Sequence, residues 1–290
     1  MHVLGFDPVA MLGFSLCADF EGDQWTFIKP AHEDLRVLFG IEVVELNVWD
    51  DLLKHVAAAC QRGNVLIPET DAFHLPDDAA TAYGRNHTKT AIAIVDVDVD
   101  AGALGYFHSG NYHRLSGDDF AGIFAMAEGR LPPYVEMAKL GRIERREAPL
   151  LFELAVERAR LHARRMPVSN PFAAYRAHLE AELDALCAAG IEAFHRYAFA
   201  TMRQFGASFE LASIYLDWLA RGGVDGLTGA REGFSDISMK TKGLMMTFAR
   251  VLSARSTAQL DEKKRRLVGL VEAMQSSWAD AATIVARRLA

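Results

Sequence analysis

Hydrophobic and polar positions alternate along the first part of the chain in short runs that have the period of β-strands. Residues 49–60 differ, because their apolar positions repeat at helical spacing. The turn Asp100-Ala101-Gly102 predicts that the runs on either side of it form a hairpin. We therefore expect an α+β domain with an antiparallel sheet. Its strands are predicted at residues 41–46, 64–69, 90–98 and 103–108, each bounded by Gly, Asp, Asn or Pro.

From about Gly117 the spacing of apolar residues becomes helical and stays so. Apolar or small residues recur every three to four positions from Phe194 to Leu219, which predicts a long helix with one buried face and a candidate bend at Gly206. The second part is therefore predicted to be an all-α helical bundle at 121–290, after a sheet domain at 1–120. Its other helices are predicted at residues 147–165, 171–188, 236–254 and 258–288.

Composition is typical of a soluble globular protein. Hydrophobic residues make up 51% and charged residues 24%, and no apolar run approaches the roughly 20 residues of a membrane span. The first residues lack the basic region of a secretory signal, so we expect a cytoplasmic protein with no membrane association. Cys17, Cys60 and Cys187 have neither zinc-site spacing nor that of a disulfide framework, and we expect them to be reduced.

Charge is shared unevenly between the two parts. Residues 1–120 contain 7 Lys or Arg against 19 Asp or Glu, whereas residues 121–290 contain 24 against 19. An acidic half argues against nucleic-acid binding, which needs a concentrated positive field. The basic residues of the second part lie either on solvated helix faces or on a docking surface for an acidic protein partner.

The most chemically suggestive residue is His87, which opens a predicted strand. A histidine there can face a cleft and act as a general base, although an ordinary loop histidine is the alternative. Asp71, His108 and Asn111 are its candidate neighbours. Together with His113, these histidines and Asp71 are also candidate metal ligands, but their spacing matches no metal signature.

Two further segments carry polar residues of interest. Asp23 and Gln24 lie within an aromatic stretch beside Trp25, and buried polar groups of this kind need hydrogen-bond partners. That stretch is either the wall of a pocket or a structural turn. In the helical part, Arg203 either contacts a ligand carboxylate or phosphate, or forms a salt bridge.

Six motifs carry a family resemblance: DFEGDQWTF (19–27), DAFHLPD (71–77), HTKT (87–90), LGYFHSGNY (104–112), DDF (118–120) and MRQFGASFELA (202–212). They resemble a bacterial family known as domain of unknown function 1839, over nearly the whole chain. The first half of that family is similar, more distantly, to the papain-like domain of the butirosin-type acyltransferase and to cysteine peptidase-like domains. The resemblance implies a papain-like sheet domain followed by the helical bundle.

The papain-like pattern has a cysteine at the start of its first helix, a histidine that opens a later strand, and an Asp or Asn on the next strand. The resemblance places the histidine on His87 and the orienting residue on His108 or Asn111. It places the cysteine and first helix upstream of Met1, so either this chain starts downstream of the natural start or the member lacks a covalent step. Cys17 does not fill the cysteine's position. The candidate substrate-binding residues are Asp71, Lys89, Asp23, Gln24 and Arg203.

The activity that the resemblance implies is acyl or aminoacyl transfer from a thioester on a carrier protein to a small-molecule acceptor. No cofactor is implied except the phosphopantetheine that a carrier would present. An acidic carrier would dock on the basic helices. The alternatives are hydrolysis of a thioester or amide by the same residues, a non-catalytic protein that binds a carrier or metabolite, and a metal-dependent hydrolase.

Overall fold

The structure is a computed structural model of the 290-residue chain, and it describes residues 4–125, 132–254 and 257–290, with only the backbone for 257–259. The chain divides into two compact units. The sheet unit is residues 35–145, and the helical unit combines the residues up to Asp34 with those from Arg146 onward. The predicted α+β class, an antiparallel sheet followed by a helical region, is confirmed.

An antiparallel sheet forms the sheet unit. The strand order is β1-β7-β2-β4-β5-β6, and β3 pairs with the end of β2. Among the described residues the strands are β1 (Glu42–Leu46), β2 (Val65–Asp71), β3 (Lys89–Ala91), β4 (Ala93–Asp98), β5 (Ala103–His108), β6 (Asn111–Ser116) and β7 (Val135–Lys139).

The described helices that lie near this sheet in sequence are α1 (His32–Phe39), α2 (Leu52–Gln61) and α3 (Gly117–Phe124), and the unit boundary runs through α1. Asp51 caps α2 by accepting a 2.8 Å hydrogen bond from the backbone N–H of Leu53. The apolar face of α2, which includes Val56, is buried in one cluster with residues of the strands such as Leu66 and Ile94. The sheet unit therefore has a core of its own.

Two strands were missed by the sequence pattern. The sequence of β6, NYHRLS, is mostly polar and only Leu115 is buried. No alternation of apolar and polar residues therefore marks this strand. The prediction of helical structure from Gly117 onward is wrong for β7, which lies between β1 and β2 and is buried at Val135 through Ala138. A strand buried on both faces has no alternation to recognise. The predicted strand at 90–98 is divided in two at Ile92, because β3 pairs only with β2.

The helical unit begins with a 3₁₀ segment, Pro8–Cys17. Its helices are α4 (Ala148–Arg164), α5 (Pro171–Ala189), α6 (Ile191–Tyr197), α7 (Arg203–Arg221), α8 (Thr228–Leu252) and α9 (Thr257–Leu289). Helices α6 and α7 were predicted as one helix with a bend at Gly206. The irregularity is instead a π-helical turn at Ala198–Met202. Gly206 serves close packing, since a Cβ there would lie 2.7 Å from Thr241 Cγ2 of α8. None of the described helices is long and apolar enough to cross a membrane.

Residues 4–34 belong to the helical unit, where the side chains of Phe20 and Trp25 are buried. The Trp25 ring lies 5.1 Å from the Phe172 ring of α5 and 4.9 Å from the Phe205 ring of α7. Phe20 is buried in the same cluster. The two compact units therefore divide near residues 34 and 145, which differs from the boundary at residue 120 predicted from the change of pattern.

Candidate functional site

A hydrogen-bonded pair of His87 and Asp71 lies where β2 ends and β3 begins. His87 Nδ1 is 2.6 Å from Asp71 Oδ2. The antiparallel register places Asp71 opposite Lys89, so His87, two residues before Lys89, arrives beside the carboxylate. Among the described residues, Nε2 of His87 has no hydrogen-bond partner. One ring nitrogen is thus fixed, and the other is open.

Asp71 also accepts hydrogen bonds from two backbone N–H groups. Its Oδ1 accepts backbone hydrogen bonds from Phe73 at 3.0 Å and from Thr88 at 3.2 Å. Partial burial raises the pKa of Asp71, but these three hydrogen bonds outweigh burial and hold the pKa below its usual value. Asp71 is therefore ionised at neutral pH and accepts the Nδ1–H of His87. The Phe73 ring stacks on the His87 ring at 4.6 Å and 13°, which further restricts the imidazole.

This pair lines a cavity of about 480 Å³ in the sheet unit. Strands β2 and β3 supply its polar side, including Lys89, whose Nζ lies 2.7 Å from Glu69 Oε1. Helix α3 supplies an apolar side around Ile123. Any larger residue at position 122 would displace the His74 side chain, because a Cβ there would lie 2.2 Å from His74 Nδ1. The volume lies within the range of small-molecule sites, roughly 300–1,000 Å³.

A second polar cluster in the sheet unit surrounds Asp77. Its Oδ2 lies 2.5 Å from His108 Nδ1 and 3.7 Å from His113 Nε2, and it also receives the hydroxyl of Tyr106 through Oδ1. Burial raises the pKa of Asp77, but the hydrogen bonds from Tyr106 and His108 outweigh it and lower the pKa. Thr90 Oγ1 lies 3.0 Å from His108 Nε2. Both ring nitrogens of His108 therefore have partners.

The helical unit contains a Cys–His–Asp arrangement that the sequence reasoning missed. Cys17 Sγ lies 3.5 Å from His162 Nδ1, and His162 Nε2 lies 2.6 Å from Asp34 Oδ2. Arg158 Nε donates a 2.5 Å hydrogen bond to Asp34 Oδ1. Burial raises the pKa of the Cys17 thiol to about 11, despite the opposing effect of Arg165. The thiol is therefore protonated at neutral pH, and the buried histidine and aspartate form a structural network.

Family models match both parts of the chain. Residues 1–140 match the DUF1839 N-terminal domain, and residues 148–287 match the DUF1839 C-terminal domain. The chain belongs to the DUF1839 family. The family resemblance inferred from the six motifs is thereby confirmed. No curated protein matches the chain.

In this DUF1839 protein, His87 pairs with one of its three candidate neighbours, but not with the orienting residue that the papain-like resemblance implied. His87 pairs with Asp71, which was expected to bind substrate, rather than with His108 or Asn111. His108 is held by Asp77 and Thr90, and the exposed Asn111 pairs with His108 across the hairpin of β5 and β6. The register of β2 and β3 explains the pairing, because it places Asp71 beside His87.

The four candidate metal ligands divide between two clusters. Asp71 pairs with His87, whereas His108 and His113 surround Asp77. Within the part of the chain that the structure describes, no group of three or more His, Cys, Asp or Glu is arranged to hold a metal ion. The four candidate ligands therefore do not form a common set among the described residues.

The remaining candidate substrate-binding residues belong to different places. Lys89 lines the sheet-unit cavity with Asp71. Asp23 and Gln24 line a separate cavity of the helical unit. Arg203 lies over the ring of Phe199, 5.0 Å from its centroid, and makes no salt bridge among the described contacts.

Proposed function

We propose that this DUF1839 protein catalyses acyl or aminoacyl transfer from a thioester, with His87 as the general base. The observation that carries the proposal is the hydrogen bond from His87 to the ionised Asp71 at the cavity. An imidazole oriented by a carboxylate, with its other nitrogen open, is the arrangement that deprotonates an attacking thiol, amine or hydroxyl. Asp71 positions His87 and stabilises the imidazolium that forms.

The direct form of the reaction uses only groups at the cavity. His87 Nε2 takes the proton of an amine or hydroxyl acceptor, whose lone pair attacks the thioester carbonyl. The C–S bond breaks, and the leaving thiolate receives the proton from His87. The products are an amide or ester and a free thiol, so charge and atoms balance.

The covalent form needs a cysteine thiol within reach of His87. None of Cys17, Cys60 and Cys187 is among the described residues that line the cavity. In that form His87 first activates the thiol, which takes the acyl group and passes it to the acceptor. Hydrolysis would result if water replaced the acceptor.

The partner and the compartment are part of the proposal. A thioester donor presented on the phosphopantetheine arm of an acidic carrier protein fits the excess of basic residues from residue 121 onward. A papain-like origin of the sheet unit accords with a histidine at a strand entrance. The cytoplasm, where thiols stay reduced, fits the three free cysteines among the described residues.

Binding without chemistry is the second candidate. It is favoured by the absence of any of the three cysteines from the described lining of the cavity. In this case the same cavity would hold the acyl group or a metabolite, and His87 would act as a hydrogen-bonding group.

The test is product formation from an aminoacyl N-acetylcysteamine thioester and a primary amine acceptor, followed by mass spectrometry. His87→Ala is expected to lower the rate at least a hundredfold, the lower end of what general-base catalysis contributes. Asp71→Asn should lower it and shift its pH profile. His195→Ala, at another exposed histidine, is the matched control and should leave the rate unchanged.

The outcomes separate the two candidates. Unchanged melting temperature with lost turnover in His87→Ala supports the base, because His87 is exposed and contributes little to packing. A variant that retains full turnover refutes its role. If the wild-type chain binds the thioester but forms neither product nor adduct, binding without chemistry replaces the transferase.

A further inference from the structure

The helical unit has its own cavity of about 700 Å³. Its walls come from the segment around Trp25, from α5, and from α6 with the π-helical turn. Two motifs that the sequence analysis singled out, 19–27 and 202–212, meet here. Gln204 Nε2 lies 3.5 Å from the carbonyl oxygen of Thr26. Neither motif contributes a described residue to the lining of the cavity at His87.

Aromatic side chains at this cavity are exposed to an unusual degree. Phe27 is 79% exposed and Phe199 is 64% exposed, and both line the cavity. Trp25, which is only 6% exposed, also lines it, and its indole N–H has no hydrogen-bond partner in the described residues. Phe199 lies within the π-helical turn, a feature frequent at functional sites. Apolar rings rimming a cavity indicate an apolar part of a ligand.

Charged groups of both signs line the same cavity without pairing. Arg196, Glu182 and Asp23 all contribute to it. None of the three makes an ion pair with another described residue, and the one side-chain hydrogen bond of Asp23 comes from Gln24 at 3.4 Å. By contrast, Lys264 pairs with Asp184 on the same unit at 2.5 Å.

The mixture of charges restricts what the cavity can hold. A simple cation would be repelled by Arg196, and a simple anion would be repelled by Glu182 and Asp23. All three side chains are exposed, and a ligand that carries both charges would give each of them a direct partner in place of water. The exposed rings then require that the ligand also has an apolar part.

We propose that this cavity binds a small zwitterion with an apolar side chain, in chemical class an α-amino acid. Arg196 receives the carboxylate, Glu182 and Asp23 receive the ammonium group, and Phe27 and Phe199 contact the side chain. The inference goes beyond the proposed transferase, because all these residues belong to the helical unit and no step at His87 is required.

Isothermal titration calorimetry of the full chain with four probes tests the ligand class. L-phenylalanine carries all three features, 2-phenylethylamine lacks the carboxylate, 3-phenylpropanoate lacks the ammonium, and L-alanine lacks the apolar group. L-phenylalanine is expected to bind about tenfold to a hundredfold more tightly than either singly charged analogue, which is what one charge-assisted hydrogen bond contributes. L-alanine is expected to bind more weakly than L-phenylalanine.

Variants locate the binding. Arg196→Gln should weaken L-phenylalanine about tenfold or more. It should bind 2-phenylethylamine at least as tightly as the wild-type chain does, because the repulsion between Arg196 and the ammonium group is removed. Glu182→Gln should weaken 2-phenylethylamine and should bind 3-phenylpropanoate at least as tightly as the wild-type chain does, because the repulsion between Glu182 and the carboxylate is removed. Phe199→Ala should weaken L-phenylalanine but not L-alanine. The control is Arg221→Gln, which changes an exposed arginine that lies outside the cavity and pairs with Asp217 at 3.0 Å.

Three results would overturn the proposal. They are no saturable binding of any probe at 10 mM, equal affinity for all the phenyl probes, or an Arg196→Gln variant that behaves like Arg221→Gln. Loss of transferase activity in His87→Ala has no bearing on these titrations, so failure of one proposal is distinguishable from failure of the other.

Discussion

Asp34→Asn is expected to destabilise the helical unit strongly. The side chain is 1% exposed and receives hydrogen bonds from Arg158 at 2.5 Å and from His162 at 2.6 Å. Asparagine keeps the shape but removes the charge, which leaves Arg158 without its counter-ion in a site where it is only 15% exposed. Removing one partner of a buried pair costs about 3–5 kcal/mol. Because Arg158 retains some contact with solvent, we expect about 3 kcal/mol.

The measurement is thermal and urea unfolding followed by tryptophan fluorescence in a Trp49→Phe background. Trp49 is the one tryptophan of the sheet unit, so the remaining signal reports the helical unit. For a unit of this size each 1 kcal/mol lowers the melting temperature by about 2–4 °C, so a loss of about 6–12 °C is expected. Asp217→Asn, which breaks an exposed pair with Arg221, is the control and should cost at most about 0.5 kcal/mol.

The pH dependence of the stability difference between wild type and Asp34→Asn is an independent test. Burial raises the pKa of Asp34, but the hydrogen bonds and charges of His162 and Arg158 outweigh it and lower the pKa below 3.8. A lowered folded-state pKa gives stability that is present above the unfolded-state value and is lost as the pH falls through the folded-state value. The gap between wild type and Asp34→Asn should therefore stay constant from pH 7 to about pH 5 and shrink below about pH 4. A gap under 1 kcal/mol at neutral pH, or one that persists unchanged at pH 2, would refute the reasoning.

Two other predictions concern backbone space and thiol chemistry. Gly40→Ala should destabilise the protein by at least about 2 kcal/mol more than Gly63→Ala in urea unfolding followed by circular dichroism. Both glycines have positive φ, but a Cβ at Gly40 would lie 2.1 Å from the carbonyl oxygen of Arg142 and one at Gly63 meets nothing within 4 Å; equal losses would contradict the collision. Cys17, with its pKa raised by burial to about 11, should be alkylated by iodoacetamide at a rate that still rises about tenfold per pH unit between pH 7.5 and 9.5. A plateau below pH 9 in peptide mass spectrometry would show that the thiol ionises normally.

The residues of the candidate site could be predicted only as far as local patterns reach. His87 and Asp71 were recognisable as neighbours because one opens a predicted strand and the other ends one. The register between strands decides which residue orients His87. That register cannot be predicted from the sequence of β3, which is only 3 residues long. The network of Cys17 and His162 was beyond local reasoning, because the two residues are 145 positions apart in the chain.

The aromatic segment at residues 19–27 combines both of the structures predicted for it. It was interpreted as either a pocket wall or a structural turn. Phe20 and Trp25 form an isolated antiparallel bridge across a turn, while Asp23, Gln24 and Trp25 line the cavity of the helical unit. Strand β7, in contrast, could not be predicted from its sequence pattern. A short strand buried on both faces has no periodicity that distinguishes it from a helix.

The division of the helical unit into two stretches of sequence determines an order of events during synthesis. The sheet unit is complete once residue 145 has been made, and its ends meet where Glu144 N–H donates a 2.9 Å hydrogen bond to the Phe39 carbonyl. Trp25, by contrast, can contact Phe172 and Phe205 only after α5 and α7 have left the ribosome. The earliest aromatic residues are thus among the last to be buried. A fragment that ends at residue 148 would therefore lack the helices that cover Trp25.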